Sequence, residues 1–269
     1  MDMLSRIAVL ALAASLEARE IVLKPGVTLL DEPMRLAAAP EGVRLVAAPE
    51  GSTLKASPRF QGEALIVARG VRRLSIENVH LDGNRGQLER TFPIAPYDKA
   101  FVDFYPLNGI LIDDCEGVIL RNLSIRQVVN FPILVARSRQ VRIQSSQIEY
   151  SGSLDANGKN NTTGGILLEE GTADFEVRFV KLRAIRGNAI WTHSRYESPR
   201  NRDGLIQENE VNGSARDAIQ IGHATNVRVV QNAMFNIGFP VNLVDMANGG
   251  IPVGIDTAGN VDESLYAEN

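Results

Sequence analysis

Cysteine is almost missing: Cys115 stands alone among 269 residues, which excludes an internal disulfide framework and any cysteine-rich zinc site. Beside a β-prone run, it reads as an inert small residue. Aromatic residues are scarce at 6%, so Val, Ile and Leu must carry the core, a composition suited to stacked β-strands rather than packed helices. Neither sign of charge dominates. With 28 Lys and Arg against 32 Asp and Glu, the net charge is −4, which gives no reason to expect a nucleic acid as partner. No apolar run is long enough to span a bilayer as a helix. The run at 7–16 follows Arg6, has small residues around 11–18, and reads as a secretory signal over residues 1–18. Asp2 weakens its basic start, and the same residues would suit a short amphipathic helix capping the open end of a solenoid. The signal reading makes the protein secreted or periplasmic.

What the chain does have is a period. The stretch NGILIDDCEGVILRNLSIRQVVNFP, from Asn108 to Pro132, holds three short β-type runs separated by turn-like residues, and its pattern returns along the chain. The second apolar residue of each copy falls at Ile76, Leu120, Ile143, Val177, Ile206 and Val229. Leu120 and Ile143 are 23 residues apart, as are Ile206 and Val229; the wider intervals contain inserted loops. A fixed period in the twenties marks a solenoid, one elongated domain over 19–269. Residues 19–70 form ragged opening coils. Two insertions break the frame: 84–107, rich in Pro and aromatics, and the polar 150–163. Loops of such length without regular pattern are usually functional or lids. Asn269 falls where Asn209 and Asn232 stand in earlier coils. The chain therefore stops in mid-coil, and a domain truncated at its C-terminal end is expected.

The runs Gly109–Ile112, Gly117–Ile125 and Asn226–Asn232 resemble the right-handed parallel β-helix proteins, a superfamily that includes pectate lyases, polygalacturonases, alginate lyases and epimerases, and phage tailspikes. The resemblance covers roughly residue 66 to the end. It implies an all-β, right-handed parallel β-helix with coils of about 23 residues, and an inward ladder at Asn209 and Asn232. Asp113-Asp114-Cys115 and Gly222-His223-Ala224 are similar, in order, to the Asp-Asp-Cys and Gly-His-Gly of polygalacturonases. No Asn-Thr-Asp precedes them and no Arg-Ile-Lys follows. Residues 197–202 approximate the Arg-x-Pro-x-x-Arg of pectate lyases, with Glu197 in place of the first Arg.

In such a stack, equivalent residues form columns about 4.8 Å apart. One sheet is expected to point Ile110, Ile133, Ile166, Ile190, Ile219 and Val241 inward, and Leu111, Leu134, Leu167, Trp191, Gln220 and Asn242 outward. Its margin then carries Asp113, Glu169 and His193, followed by Asp114, Arg137, Glu170, His223 and Asp245. Insertions 84–107 and 150–163 at the leading edge, with 195–203 and 246–260 at the trailing edge, would wall this face into a groove. Glu169 beside His193 is expected to orient or charge the imidazole. Arg195 and Arg202 offer two-pronged carboxylate recognition. The candidate catalytic set is therefore His193, Arg195, Arg202 and His223, with Glu169 and Asp245 as supporting acids. The ligand expected in the groove is a polysaccharide.

Two chemistries follow. Neutralised uronate carboxylates favour β-elimination by a base, and this lyase reading is placed slightly ahead of hydrolysis by paired carboxylates from Asp113, Asp114, Glu169 and Asp245. The competing class is a non-catalytic carbohydrate-binding or surface solenoid. Calcium is a candidate cofactor only through Asp155-Ala156-Asn157-Gly158, which supplies hard oxygen ligands without the full spacing and reads first as a turn.

Overall fold

The computed structural model describes residues 18–96, 98–238 and 252–269. The expected signal run, together with Val241, Asn242 and Asp245, lies outside the described residues.

The repeat frame becomes a stack of coils. Ile76, Leu120, Ile143, Val177, Ile206 and Val229 are register partners in successive parallel strands. Ile21 and Leu45 extend the column at one end and Tyr266 at the other. Each full coil gives one strand to each of three faces. In one coil these are Ile133–Ala136, Arg139–Gln144 and Gln147–Glu149, and they pair with Ile166–Glu169, Ala173–Arg178 and Lys181–Ile185 of the next. Parallel strands cannot be joined by hairpins, so the chain winds and the product is a parallel β-helix. The strand Ile219–Val230 runs unbroken from the first face into the second.

The alternation of side chains fills the lumen. Ile110, Ile133, Ile166, Ile190 and Ile219 form the expected inward column, each with no solvent exposure. Its next described member is Ile255: Ile255–Asp262 is a strand paired with Ile219–Val230, so the expected loop at 246–260 gives way to strand from residue 255. Size is balanced between coils. Phe175 is the one aromatic in the column Val118, Val141, Phe175, Gly204, Val227, and a Cβ on Gly204 would stand 2.0 Å from the Phe175 ring. The glycine makes room for the ring.

Polar residues close the corners. Asn209 Oδ1 accepts from the Val180 N–H at 3.0 Å, Asn232 Oδ1 from the Asn209 N–H at 3.1 Å, and Asn269 Oδ1 from the Asn232 N–H at 3.1 Å. This is the inward ladder that the resemblance implied. Ser146 serves the same corner one coil before Val180, accepting from the Leu123 N–H at 3.1 Å.

The first face has a second core on its outer side. Leu111, Leu134, Leu167 and Trp191 do point out of the lumen, but they are buried beneath Phe92, Phe101, Val102 and Tyr105 of the 84–107 insertion. The expected side wall is therefore a cover, lying on the floor it was to flank. Insertion 150–163 pins it: Asn161 Nδ2 donates to the Phe92 carbonyl at 2.9 Å, and the Phe92 N–H donates to the Leu154 carbonyl at 2.9 Å.

Candidate functional site

The margin of the first face assembles part of the expected set. Glu169 and His193 are register neighbours, yet their side chains do not meet in a hydrogen bond. Glu169 has no solvent exposure; its two oxygens accept from the N–H groups of Phe101 at 2.9 Å and Val102 at 2.6 Å. Burial pushes its carboxyl up to about 8, against the pull of those two donors. Glu169 is thus the anchor of the cover and not a partner of the imidazole, because the short 3-10 turn Phe101–Asp103 presents two donors that would otherwise be buried and unsatisfied.

His193 packs at a tilt against Phe101, 4.6 Å between ring centroids and 35° between planes, and lies 6.1 Å from His223. Its Nε2 is buried without a hydrogen-bond partner, and burial, reinforced by His223, lowers its pKa to about 4. Exposed Tyr196 meets His223 edge-on at 4.2 Å. A side chain at Gly259 would strike the His223 ring, so that glycine sets the ring's place. Arg195 reaches this margin already engaged: its backbone N–H and Nε donate to Glu170 at 2.9 and 3.0 Å. Burial works against the Glu170 charge, but the Ser198 hydroxyl and Arg195 hold its carboxyl below the usual range.

Other expected members stand apart. Arg202 belongs to the second face, in register with Ala173 and Thr225, and lines a separate hollow of about 340 Å³ with Arg72, Arg137 and Arg139. Asp113 precedes Glu169 by two coils and His193 by three, about 14 Å along the stack. Its carboxylate is held two-pronged by Arg137 at 2.7 and 2.8 Å. The Asp-Asp-Cys and Gly-His segments therefore do not form one cluster. Asp155 Oδ1 accepts from the N–H groups of Asn157 and Lys159, both at 2.8 Å. It shapes a turn through those two N–H groups, and among the described residues no group of three or more His, Cys, Asp or Glu stands together.

Two acids that the sequence reading did not select meet at the leading edge. Gln220 follows Trp191 in the outward column and Asp256 follows Gln220. Gln220 Nε2 donates to Asp256 Oδ2 at 2.8 Å and to Asp217 Oδ2 at 3.2 Å, so these two oxygens are no more than about 6 Å apart. Gln220 is itself oriented: its Oε1 accepts from Asn188 Nδ2 at 2.9 Å. Burial pushes the Asp217 carboxyl up and the charge of Asp256 adds to this, while the Val253 N–H partly offsets it. Between this pair and the histidines the floor carries small residues, Gly222 and its register partner Ala258. A Cβ on Gly222 would lie 3.8 Å from the Trp191 indole nitrogen. A signal for Asp256 was present in the sequence: Gly254-Ile255 repeats the Gly109-Ile110 and Gly165-Ile166 that open two earlier strands of this face.

The fold is that of the right-handed parallel β-helix proteins. No protein-family model matches the chain, and no curated protein matches it. Among solved structures, it is similar to an exopolygalacturonase from Thermotoga maritima at a TM-score of 0.56 and 15% identity, over 80% of this chain and 60% of that one. It is also similar to the pre-mature bacteriophage phi29 gene product 12 at 0.60 and 10% identity, over 89% of this chain and 38% of that one. A polygalacturonase from Erwinia carotovora ssp. carotovora follows at 0.50 and 12% identity, over 92% of this chain and 87% of that one. The chain thus spans 60% or less of the length of the first two. At these identities the likeness is one of fold. Among the described residues no helix is long and apolar enough to cross a membrane.

Proposed function

We propose that this protein cleaves a polysaccharide by hydrolysing a glycosidic bond, with Asp217 and Asp256 as its paired acids. The observation that carries this reading is their convergence on one Gln220 amide nitrogen. Glycosidases that retain configuration hold two carboxyl groups about 5 Å apart. Asp217, whose burial favours the protonated form, is the candidate general acid, and the less buried Asp256 is the candidate nucleophile or base. A sugar resting over Gly222 and Ala258 would meet the carboxyl pair at one end and Tyr196 with His223 at the other. The polygalacturonase structures of the same fold are consistent with such a substrate, by analogy of fold alone.

The β-elimination expected from the sequence needs an accessible base and an uncommitted guanidinium. His193 Nε2 is sealed and Arg195 is tied to Glu170, so hydrolysis fits the geometry better. A panel of pectate, alginate and neutral glycans, read for reducing ends and for the ultraviolet absorbance of unsaturated ends, tests this. Reducing ends without absorbance are expected. Both signals together would make the protein a lyase, and neither would leave a binding solenoid. A polymer substrate also argues for export, supported by the apolar run after Arg6. Secreted material should then begin near residue 19 when its N-terminus is sequenced.

A further inference from the structure

At the corner where both insertions leave the coil, two arginines crowd one another. Arg85 opens the short helix Arg85–Leu88 of the first insertion, and Arg186 ends the strand region of a later coil. Arg85 Nη1 and Arg186 Nη1 each donate to the Gly152 carbonyl, at 3.3 Å in both cases, so one oxygen holds the two guanidinium groups together. Among the described residues one carboxylate, that of Glu89, pairs with them, and it pairs with Arg186. Arg186 is more than nine-tenths buried, and its Nε has no hydrogen-bond partner. Burial, and after it the charge of Arg85, lowers the Arg186 pKa to about 10; burial alone lowers that of Arg85. Buried Arg186 and half-buried Arg85 face one anion, which leaves a charge uncompensated, and an uncompensated charge withdrawn from water is unfavourable.

We propose that Arg85 and Arg186 form an oxyanion-binding site, with Glu89 as the built-in anion of one half and a carboxylate, sulfate or phosphate group as the ligand of the other. Guanidinium forks match such groups two-pronged. Lys would not serve equally, because an ammonium lacks the fork. The ligand has two possible sources, a free oxyanion in solution or an acidic group carried on a sugar. Binding would tie residues 85–89, which begin the cover, to the coil that carries Asn188 and thereby Gln220.

The test uses inorganic phosphate as probe, at constant ionic strength maintained with chloride, with thermal unfolding of the full chain as readout. The wild type is expected to gain melting temperature saturably with phosphate. Glu89→Gln, which removes the competing carboxylate but keeps the packing, should bind phosphate more tightly. Arg85→Gln should bind it roughly tenfold more weakly, the loss typical of a charge-assisted hydrogen bond. Circular dichroism separates a folded variant from a collapsed one, and Arg85→Lys provides the milder second variant. Adding a galacturonate dimer, against a neutral dimer, distinguishes the sources: competition with phosphate by the acidic dimer alone assigns the site to a sugar-borne carboxylate, and no competition assigns it to a free oxyanion. The proposal is overturned if phosphate leaves the wild type unmoved, or if Arg85→Gln and Glu89→Gln respond to it as the wild type does.

Discussion

A carboxyl group with no solvent exposure changes how the whole protein responds to pH. Glu169, raised by burial from 4.5 to about 8, holds a proton in the folded state over a range where the unfolded chain has lost it. Its contribution to stability is therefore complete below pH 4.5 and is lost as pH rises toward about 8. His193 acts in the opposite sense. Lowered by burial from 6.5 to about 4, it stays neutral where the unfolded chain is protonated, so stability is lost as pH falls from 6.5 to about 4. The two oppose each other in mild acid, and above pH 6.5 Glu169 acts alone. Urea unfolding at several pH values should show a decline between pH 6.5 and 8 that Glu169→Gln removes. At the proposed site, Asp217→Asn and Asp256→Asn should each lower turnover by about 10²–10⁴-fold with the fold intact. A variant that keeps wild-type turnover on the responding polymer would remove that aspartate from the mechanism.

Strands and corners carry the next level of argument. Asn232 accepts from the Asn209 N–H and sends Nδ2 to the Ile206 and Val230 carbonyls at 3.0 and 3.1 Å. Asn232→Ala would orphan one buried N–H and two carbonyl contacts, a loss of about 2–4 kcal/mol by urea unfolding. Gly204→Ala drives a methyl group into Phe175, and overpacking of this kind costs about 1–3 kcal/mol. The combination with Phe175→Leu should restore most of it, which a double-mutant cycle would read directly. The asparagine ladder was legible because three identical residues recur at one place in the frame. Other corner positions were not. Left-handed backbone at the turn after the second face recurs at Asn78, Asn122, Ser145, Phe179, Glu208 and Gln231, and a Phe or Glu there gives no local sign of the conformation. Stacking of the neighbouring coils imposes it.

For the molecule as a whole, the consequence is a fold with two cores on one sheet. The lumen is continuous from coil to coil, whereas the outer core gathers where 84–107 lies on Leu111, Leu134, Leu167 and Trp191, and reaches back to Phe60, Leu65 and Val67. The two should respond separately. Phe101 touches Trp191, Phe131, Tyr105 and His193, and Phe101→Ala should lose about 3–5 kcal/mol of packing while leaving the ladder in place. Limited proteolysis would then cut within 84–107 before the coils, and a dye specific for apolar surface would bind the uncovered face. Simultaneous loss of the whole β-sheet signal would show that cover and coil are one cooperative unit.

The 23-residue steps from Leu120 to Ile143 and from Ile206 to Val229, and the inward and outward columns as far as Ile219 and Gln220, were legible in the sequence, and the resemblance implied the ladder at Asn209 and Asn232. They recur from coil to coil, so the copies together report one local geometry. Which outward residues meet solvent was decided only by the tertiary structure. The cover has no period, and its anchor joins Glu169 to Phe101 across 68 positions of chain. The same holds for Asp217 and Asp256, which belong to successive coils separated by an insertion and meet only because the coils stack in register. A repeated local pattern fixes the scaffold; single long-range contacts, each made once, fix what is laid upon it.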